Sequence, residues 1–308
     1  MIILFYLAVT IAFIITSTAK YKIHPFLVLI FASLIMGFMG GLEPNVILKT
    51  LSEGFGNTLK SIGIIIAGGS IIGVFLERTK AAQAIAEKIV KIVGDGNSSL
   101  AMNLTGGIVS IPVFCDSGFV ILSSLNNAIN KKTKISLAIL GTSLAAGLYT
   151  THVFVPPTPG PLAAASILEA NVGLVLLYGL IIAIPVSLVG WFWSISYCSK
   201  FSIHHENENE MSIKKENNEI PKTYKSILPI IMPILLITTK SIVEHPSITV
   251  NSPFISNIIL FLGHPIIAIL VGVIFAMTIP KTMSKKLKFN WVSNCLLYTS
   301  DAADDRMR

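Results

Sequence analysis

The composition and the hydropathy of the sequence predict an all-α polytopic membrane protein. Hydrophobic residues make up 53% of the 308 residues, charged residues make up 13%, and the mean hydropathy is +0.74. Soluble domains carry about 25% charged residues, so we expect lipid to solvate most of this chain. Several apolar runs approach the roughly 20 residues that cross a bilayer. The apolar runs are 2–16, 25–40, 59–76, 98–128, 135–168, 172–193, 227–243 and 254–279.

The placement of lysine and arginine orients these runs. Residues 2–16 have no basic start and are followed by Lys20 and Lys22, the reverse of a signal peptide, so we expect a retained span. Of the 23 Lys and Arg residues, 18 lie on one side if that side holds the segments 20–22, 78–91, 131–134, 200–225 and 281–288. The positive-inside rule makes this side cytoplasmic and places the N-terminus outside. The net charge of +7 therefore predicts no nucleic-acid partner.

The run at 98–128 is predicted to be a re-entrant hairpin, because lysines flank it on both sides and both flanks are cytoplasmic. Its centre, IPVFCDSG at 111–118, places a proline, an acid and a glycine between two apolar arms of about 12 residues. An arm of that length reaches about 18 Å at 1.5 Å per residue, somewhat past the middle of a 30 Å core. The tip of the hairpin is therefore expected inside the membrane.

The run at 135–168 contains the string THVFVPPTPGP at 151–161. Each proline removes a backbone donor and clashes with the preceding turn, so a helix cannot pass through this string intact. Unpaired backbone groups in lipid are tolerated only where they face protein or a watery cavity. A proline-broken transmembrane helix therefore points to a transport site.

Asp116 and His152 are the titratable candidates in these two interruptions. A carboxylate near the bilayer centre costs about 2.5–3.5 kcal/mol unless it is paired, protonated or hydrated, which favours a functional role for Asp116. The alternative is that Asp116 caps the second arm by accepting from the amides of Gly118 or Phe119. For His152 the alternative is an ordinary buried hydrogen-bonding side chain.

Other patterns carry less specific information. The segment GGSIIG at 68–73 and the small residues of 141–147 predict close helix packing. Residues 80–93 predict an amphipathic helix, which lies along the membrane interface or connects parts of the bundle. The three cysteines are scattered and predict neither a disulfide framework nor a metal site.

Several strings together resemble the gluconate permease (GntP) family of proton-coupled sugar-acid symporters. They are IPVFCDSGFVIL at 111–122, LAAGLYTTHVFVPPTPGPLAAA at 144–165, VGLVLLYGLIIAIPVSLVGWFW at 172–193 and FLGHPIIAILVG at 261–272. The resemblance covers about 62–272. It implies the bacterial cytoplasmic (inner) membrane, a gluconate-like carboxylate substrate, coupling to the proton gradient without a cofactor, and a possible homodimer. It also implies an inverted-repeat transporter of the ion-transporter type, with re-entrant hairpins and broken helices.

Carried over position by position, the resemblance predicts a substrate-binding or proton-coupling site in two parts. The hairpin tip contributes Asp116, Ser117 and Gly118. The helix break contributes Thr151, His152, Pro156, Pro157, Thr158, Pro159 and Gly160. Half-helix amino ends would face the substrate carboxylate, and the Ser and Thr hydroxyls would bind its hydroxyls. The hypothesis for coupling is that Asp116 or His152 carries the proton.

Two other function classes remain open at this point. A sodium-coupled carboxylate carrier of related architecture is the nearer alternative. A membrane-embedded enzyme that uses Cys115 or Ser117 with His152 is a remote one, since the sequence has no GxSxG, HExxH, Walker A or GxGxxG motif. We therefore expect a transporter rather than an enzyme.

The predicted organisation places a first transmembrane repeat at 1–198, with the hairpin at about 98–129 and the broken helix at about 135–168. A cytoplasmic linker follows at 199–225, and 226–294 begins a second repeat. That repeat would need its own hairpin and broken span, so we expect the second repeat to be incomplete in a C-terminally truncated permease. The tail at 295–308 changes abruptly to a short acidic sequence and is expected not to be native.

Overall fold

The structure is a computed structural model of the chain that describes residues 2–203, 220–244, 252–280 and 289–293. Within these ranges the regular elements are helices, and no strand is present. The prediction of an all-α polytopic membrane protein is confirmed. The inverted repeat and the re-entrant topology stay predictions.

Five helical segments of the described chain are long and apolar enough to cross a membrane. They are Ile2–Lys20, Pro44–Arg78, Leu137–Ile167, Val172–Lys200 and Thr223–Val243. A sixth span is possible if the bent pair Pro253–Leu262 and Pro265–Thr278 crosses as one unit. The apolar run at 254–279 forms these two helices, which meet at an angle of 67°. The bend arises where Gly263 ends one helix and Pro265 begins the next.

The chain divides into two compact units, and the first is Met1–Ser61. Its helices are α1 (Ile2–Ile15), α2 (Pro25–Met39) and α3 (Pro44–Thr58). Proline occupies the first position of α2 and of α3, where its missing amide would have no intrahelical partner anyway. Most apolar side chains of α1 are exposed, as expected for a helix in contact with lipid.

The second unit, Ile62–Arg308, contains ten α-helices of 9 or more residues in its described part. They are α4 (Ile64–Arg78), α5 (Ala81–Val93), α6 (Ser98–Val109), α7 (Cys115–Thr133), α8 (Leu137–Phe154), α9 (Pro159–Ile167), α10 (Val172–Tyr197), α11 (Thr223–Val243), α12 (Pro253–Leu262) and α13 (Pro265–Thr278). One hydrophobic core joins side chains of α4 to α9 with others from α10, α11 and α13. Its largest fully buried members include Phe75, Met102, Leu122, Leu144 and Ile269.

Helices α6 and α7 occupy the two arms of the predicted hairpin. Helix α6 has 12 residues, as expected for the first arm, whereas α7 has 19 and is longer than the predicted second arm. The difference arises because α7 continues through polar residues to Lys131 and Lys132, which favour a helix C-terminus. The helix ends at Thr133, and the next residue, Lys134, caps it with a left-handed φ of +60°.

The contact between α6 and α8 is made through glycine. A Cβ atom on Gly147 would fall on the carbonyl oxygen of Asn103, and one on Gly106 would lie 2.5 Å from the carbonyl oxygen of Leu144. The Asn103 side chain also donates to the carbonyl oxygen of Ser143 at 3.0 Å and accepts from the Ser187 hydroxyl at 2.7 Å. This contact fixes α6 against α8 and α10, and with it the position of the turn that follows α6.

Helix α5 packs against the bundle, which favours the connector interpretation of residues 80–93. Its buried face is formed by alanines and Ile85, whereas Glu87, Lys88 and Lys91 are exposed. The Thr223 hydroxyl at the start of α11 donates to the carbonyl oxygen of Ala84 at 3.5 Å. Most of the predicted linker (204–219) and the predicted tail (295–308) lie outside the described residues.

Candidate functional site

The first candidate region is the α7 tip, by which we mean the turn at 110–114 and the first turn of α7. Phe114 precedes α7, and the amide of Gly118 donates to the Phe114 carbonyl oxygen at 2.9 Å. The amides of Cys115, Asp116 and Ser117 precede this first intrahelical donor, so they have no acceptor within the helix. They form the positive end of the helix dipole, which favours an anion.

Asp116 lies in this first turn, and its side chain is exposed in the protein. Its Oδ1 atom accepts from the Tyr149 hydroxyl of α8 at 3.4 Å and from the Cys115 thiol at 3.7 Å. The capping alternative is wrong, because Phe114 holds the cap position and no side chain caps the helix. Among the described residues no lysine or arginine forms an ion pair with Asp116.

The second candidate region is the helix break, the four residues 155–158 between α8 and α9. Thr158 precedes α9, Pro159 takes its first position, and the Thr158 hydroxyl donates to the carbonyl oxygen of Val155 at 2.7 Å. The sequence predicted a wider interruption, at 151–161. The break is narrower because proline is tolerated in the first turn of a helix, and because the residues before Val155 keep their helical hydrogen bonds.

The predicted residues of this region fall into three positions. Thr151 and His152 belong to the last turn of α8, and the Thr151 hydroxyl donates to the carbonyl oxygen of Gly147 at 2.9 Å. Pro156, Pro157 and Thr158 form the break itself. Pro159 and Gly160 begin α9.

The α7 tip and the helix break lie side by side. The ring of His152 packs against that of Phe114, with 6.0 Å between the ring centroids and 60° between their planes. The Nδ1 atom of His152 is buried and has no hydrogen-bond partner. Gly118 permits this approach, since a Cβ atom there would lie 2.8 Å from a methyl carbon of Leu148 on α8. The structure therefore brings together two regions that are about 40 residues apart in sequence.

A small cavity separates the tip, the break and α4. Its volume is about 20 Å³, enough for about one water molecule. The tip contributes Ile111, Pro112, Val113 and Phe114, the break contributes Pro157 and Thr158 with Pro159 beyond it, and α4 contributes Ile66, Gly69 and Ser70. The predicted residues Asp116, Ser117, Gly118, Thr151, His152, Pro156 and Gly160 do not line it. Gly160 in particular is exposed and has open space around it.

Sequence reasoning missed three residues of this region. Tyr149 lies three residues before His152 and hence on the same face of α8, a spacing that could have identified it. Phe114 is adjacent to the predicted tip residues. Ser70 lies within the GGSIIG segment, for which the sequence predicts only close helix packing. For metals, the described residues contain no group of three His, Cys, Asp or Glu side chains that could hold an ion.

Comparison with known proteins identifies the class of protein that carries this arrangement. A family model described as GntP family permease matches residues 2–299. The chain belongs to the GntP family of permeases. The resemblance seen in the hairpin and break strings is therefore confirmed, and so is the assignment to a transport protein of the membrane. Membership of a permease family also agrees with the expectation of a transporter.

Three similar bacterial proteins give the extent of the match. The chain is 36% identical over 272 residues to a protein of Haemophilus influenzae described as an uncharacterized permease, a match that covers 83% of this chain and 55% of that protein. It is 29% identical to a gluconate permease of Pseudomonas aeruginosa, with 87% and 60% covered. It is 28% identical to an L-idonate transporter of Escherichia coli, with 88% and 61% covered. The chain thus spans less than two thirds of the length of these relatives.

No solved structure matches this chain.

Proposed function

We propose that this chain is part of a secondary active transporter that imports gluconate, or a related sugar acid, together with protons across the bacterial cytoplasmic membrane. The observation that carries the proposal is the meeting of the α7 tip and the helix break at Phe114 and His152, beside Asp116. Interrupted helices that meet within a membrane protein are typical of substrate sites in transporters. Membership of the permease family and the gluconate and idonate names of the relatives support the substrate class.

The two helix amino ends differ in what they offer an anion. The first turn of α9 is Pro159, Gly160 and Pro161, so only Gly160 has an amide hydrogen there. The first turn of α7 contains no proline and keeps the amides of Cys115, Asp116 and Ser117. We therefore place the substrate carboxylate at the amino end of α7, where amides and the helix dipole act together.

This placement supplies a reason for proton coupling. An ionised Asp116 would repel a carboxylate in the same turn, by roughly 4 kcal/mol at 4 Å and an effective dielectric constant of 20. A proton on Asp116 removes this repulsion and turns the side chain into a hydrogen-bond donor. Proton and substrate would then bind together, as symport requires. His152 is the second candidate carrier, since its Nδ1 atom is buried beside the tip without a partner.

The remaining predicted residues would recognise hydroxyl groups. The hydroxyls of Thr151 and Thr158 donate to the carbonyl oxygens of Gly147 and Val155, so towards a substrate they act as acceptors. Ser117 is half-buried in the first turn of α7, next to the proposed carboxylate position. Together these groups fit a polyhydroxylated acid better than a simple apolar carboxylate.

The test is uptake of radiolabelled gluconate into cells that express the full-length permease containing this segment. We expect accumulation against a gradient, collapse of that accumulation by a protonophore, and no change when choline replaces sodium. Competition by unlabelled idonate, glycerate, fructuronate and D-serine would define the substrate. Dependence on sodium would support the sodium-coupled carrier instead, and an absence of accumulation for all these compounds would contradict the proposal.

A further inference from the structure

Helix α4 forms the third wall between the α7 tip and the helix break. A Cβ atom on Gly73 would lie 2.6 Å from the carbonyl oxygen of Pro112 in the tip, and one on Gly69 would lie 3.6 Å from the Pro157 ring in the break. Ser70 lies between these glycines in sequence and lines the cavity that the three elements enclose. The face of α4 that carries Gly69 and Ser70 is therefore part of the same region.

The Ser70 hydroxyl has no hydrogen-bond partner although the residue is only 8% exposed. Hydroxyls in helices usually donate to the carbonyl oxygen four residues earlier. Thr79, Thr150 and Thr151 of this protein do so, at 2.6–2.9 Å. A buried hydroxyl without a partner costs about 1–3 kcal/mol. Ser70 is thus a polar group whose partner is expected inside the cavity rather than in its own helix.

We propose that Ser70 is a substrate-recognition residue whose hydroxyl binds a hydroxyl group of the transported acid. The inference rests on the proposed function and adds a third element, α4, to the site formed by the tip and the break. It concerns a residue that touches the substrate itself, not one that positions another residue.

The size of the cavity defines the conformational change that this role requires. A volume of about 20 Å³ holds about one water, whereas binding pockets for small organic molecules measure about 300–1,000 Å³. The described conformation is therefore closed around α4 and leaves room for about one water beside Ser70. The tip or the break must move away from Gly69 and Ser70 to admit a sugar acid.

A purely structural role for Ser70 makes the opposite prediction. A side chain that only fills space beside two glycines would be replaced by alanine without loss, since removal of an unpartnered hydroxyl also removes its desolvation cost. A substrate-binding hydroxyl, in contrast, discriminates strongly between an acid that carries the matching hydroxyl and one that lacks it. Ser70→Ala therefore separates the two roles.

The first experiment measures transport kinetics of Ser70→Ala in the full-length permease that contains this segment. We expect the KM for gluconate to rise by about 3- to 10-fold, as for one lost hydrogen bond, while the KM for a deoxy analogue that lacks the recognised hydroxyl stays unchanged. Ser61→Ala is the matched control, because that hydroxyl is exposed and donates within its own helix to Asn57. Equal KM values and equal selectivity in wild type and Ser70→Ala would overturn the inference. So would failure of Ser70→Ala to accumulate in the membrane, which would indicate a structural role.

The second experiment uses Ser70→Cys in a variant without Cys198 and Cys295, and the same variant with Ser70 intact measures the background labelling of Cys115. A small methanethiosulfonate reagent should label the introduced thiol during transport, and saturating gluconate should slow the labelling at least several-fold. Labelling that gluconate does not affect would contradict contact with the substrate. If the wild-type permease transports no acid at all, the proposed function fails. If the wild type transports gluconate and Ser70→Ala has the same KM and selectivity, only the inference about Ser70 fails.

Discussion

The α7 tip and the helix break are both interruptions of helices, but they differ in chemistry. The first turn of α7 combines three amides with the carboxylate of Asp116. The break and the first turn of α9 contain four prolines between 156 and 161, so they offer few donors and a rigid apolar surface. An interrupted helix is therefore not automatically an anion site. In this protein the tip carries the hydrogen-bond donors and the carboxylate, whereas the break presents a rigid apolar surface.

Removing the charge of Asp116 at the tip should change transport most. Asp116→Asn keeps the size of the side chain but cannot exchange a proton, so proton-driven accumulation of gluconate should be abolished while exchange of bound substrate persists. Uptake and counterflow in cells that express the full-length permease measure the two activities. Glu169→Gln is the control, since that acid is exposed beyond the end of α9 and has no place in the site. Normal accumulation by Asp116→Asn would remove Asp116 as the proton carrier.

The second prediction concerns the close contact between α6 and α8, which fixes the turn that follows α6. Gly147→Ala places a methyl group on the Asn103 carbonyl oxygen of α6, so the two helices must separate. We expect a loss of about 1–3 kcal/mol in the free energy of unfolding, measured by thermal unfolding in detergent. Gly54→Ala is the matched control, because nothing lies within 4 Å of its Cβ position in α3. Equal unfolding temperatures for both variants would contradict the close packing of α6 and α8.

The sequence predicts those features of the tip and the break that depend only on neighbouring residues in the chain. Proline chemistry is local, and it located the break, although four residues rather than eleven are interrupted. The position of Asp116 at the start of the second arm was also predicted. The contacts of Asp116 with Tyr149 and of His152 with Phe114 are not local, because they depend on the packing of α7 against α8. The unpartnered hydroxyl of Ser70 depends on three elements and leaves no mark in the sequence beyond two neighbouring glycines.

The bend at Gly263 and His264 is a local feature that the hydropathy of the sequence does not reveal. Glycine followed by His-Pro is a local signal for the end of one helix and the start of another. High apolar content on both sides hid it, because hydropathy measures solvation and carries no information about helix continuity. A proline inside an apolar run is therefore ambiguous without contacts: Pro185 lies within the uninterrupted helix α10.

A smaller effect is expected from a substitution of His152 beside the helix break. His152→Gln retains a polar side chain at the Phe114 contact but cannot carry a proton at neutral pH. If Asp116 is the carrier, this variant should still accumulate gluconate, with a KM raised by no more than about tenfold through one altered hydrogen bond. Uptake at several pH values is the measurement. If His152→Gln lost proton-driven accumulation while Asp116→Asn kept it, His152 rather than Asp116 would be the proton carrier.

The smallest expected effect concerns the one side-chain hydrogen bond between α8 and the acid of the tip. Tyr149 donates to Asp116 at 3.4 Å, a long distance for a hydroxyl donor, and both side chains are exposed. Tyr149→Phe should therefore change the KM for gluconate by less than about fivefold and leave accumulation intact. Tyr178→Phe on α10 is the control for loss of an exposed phenol hydroxyl. If Tyr149→Phe lost coupling as completely as Asp116→Asn, proton coupling would require the hydrogen bond from α8 as well as Asp116. The charged function could then not be assigned to the tip alone.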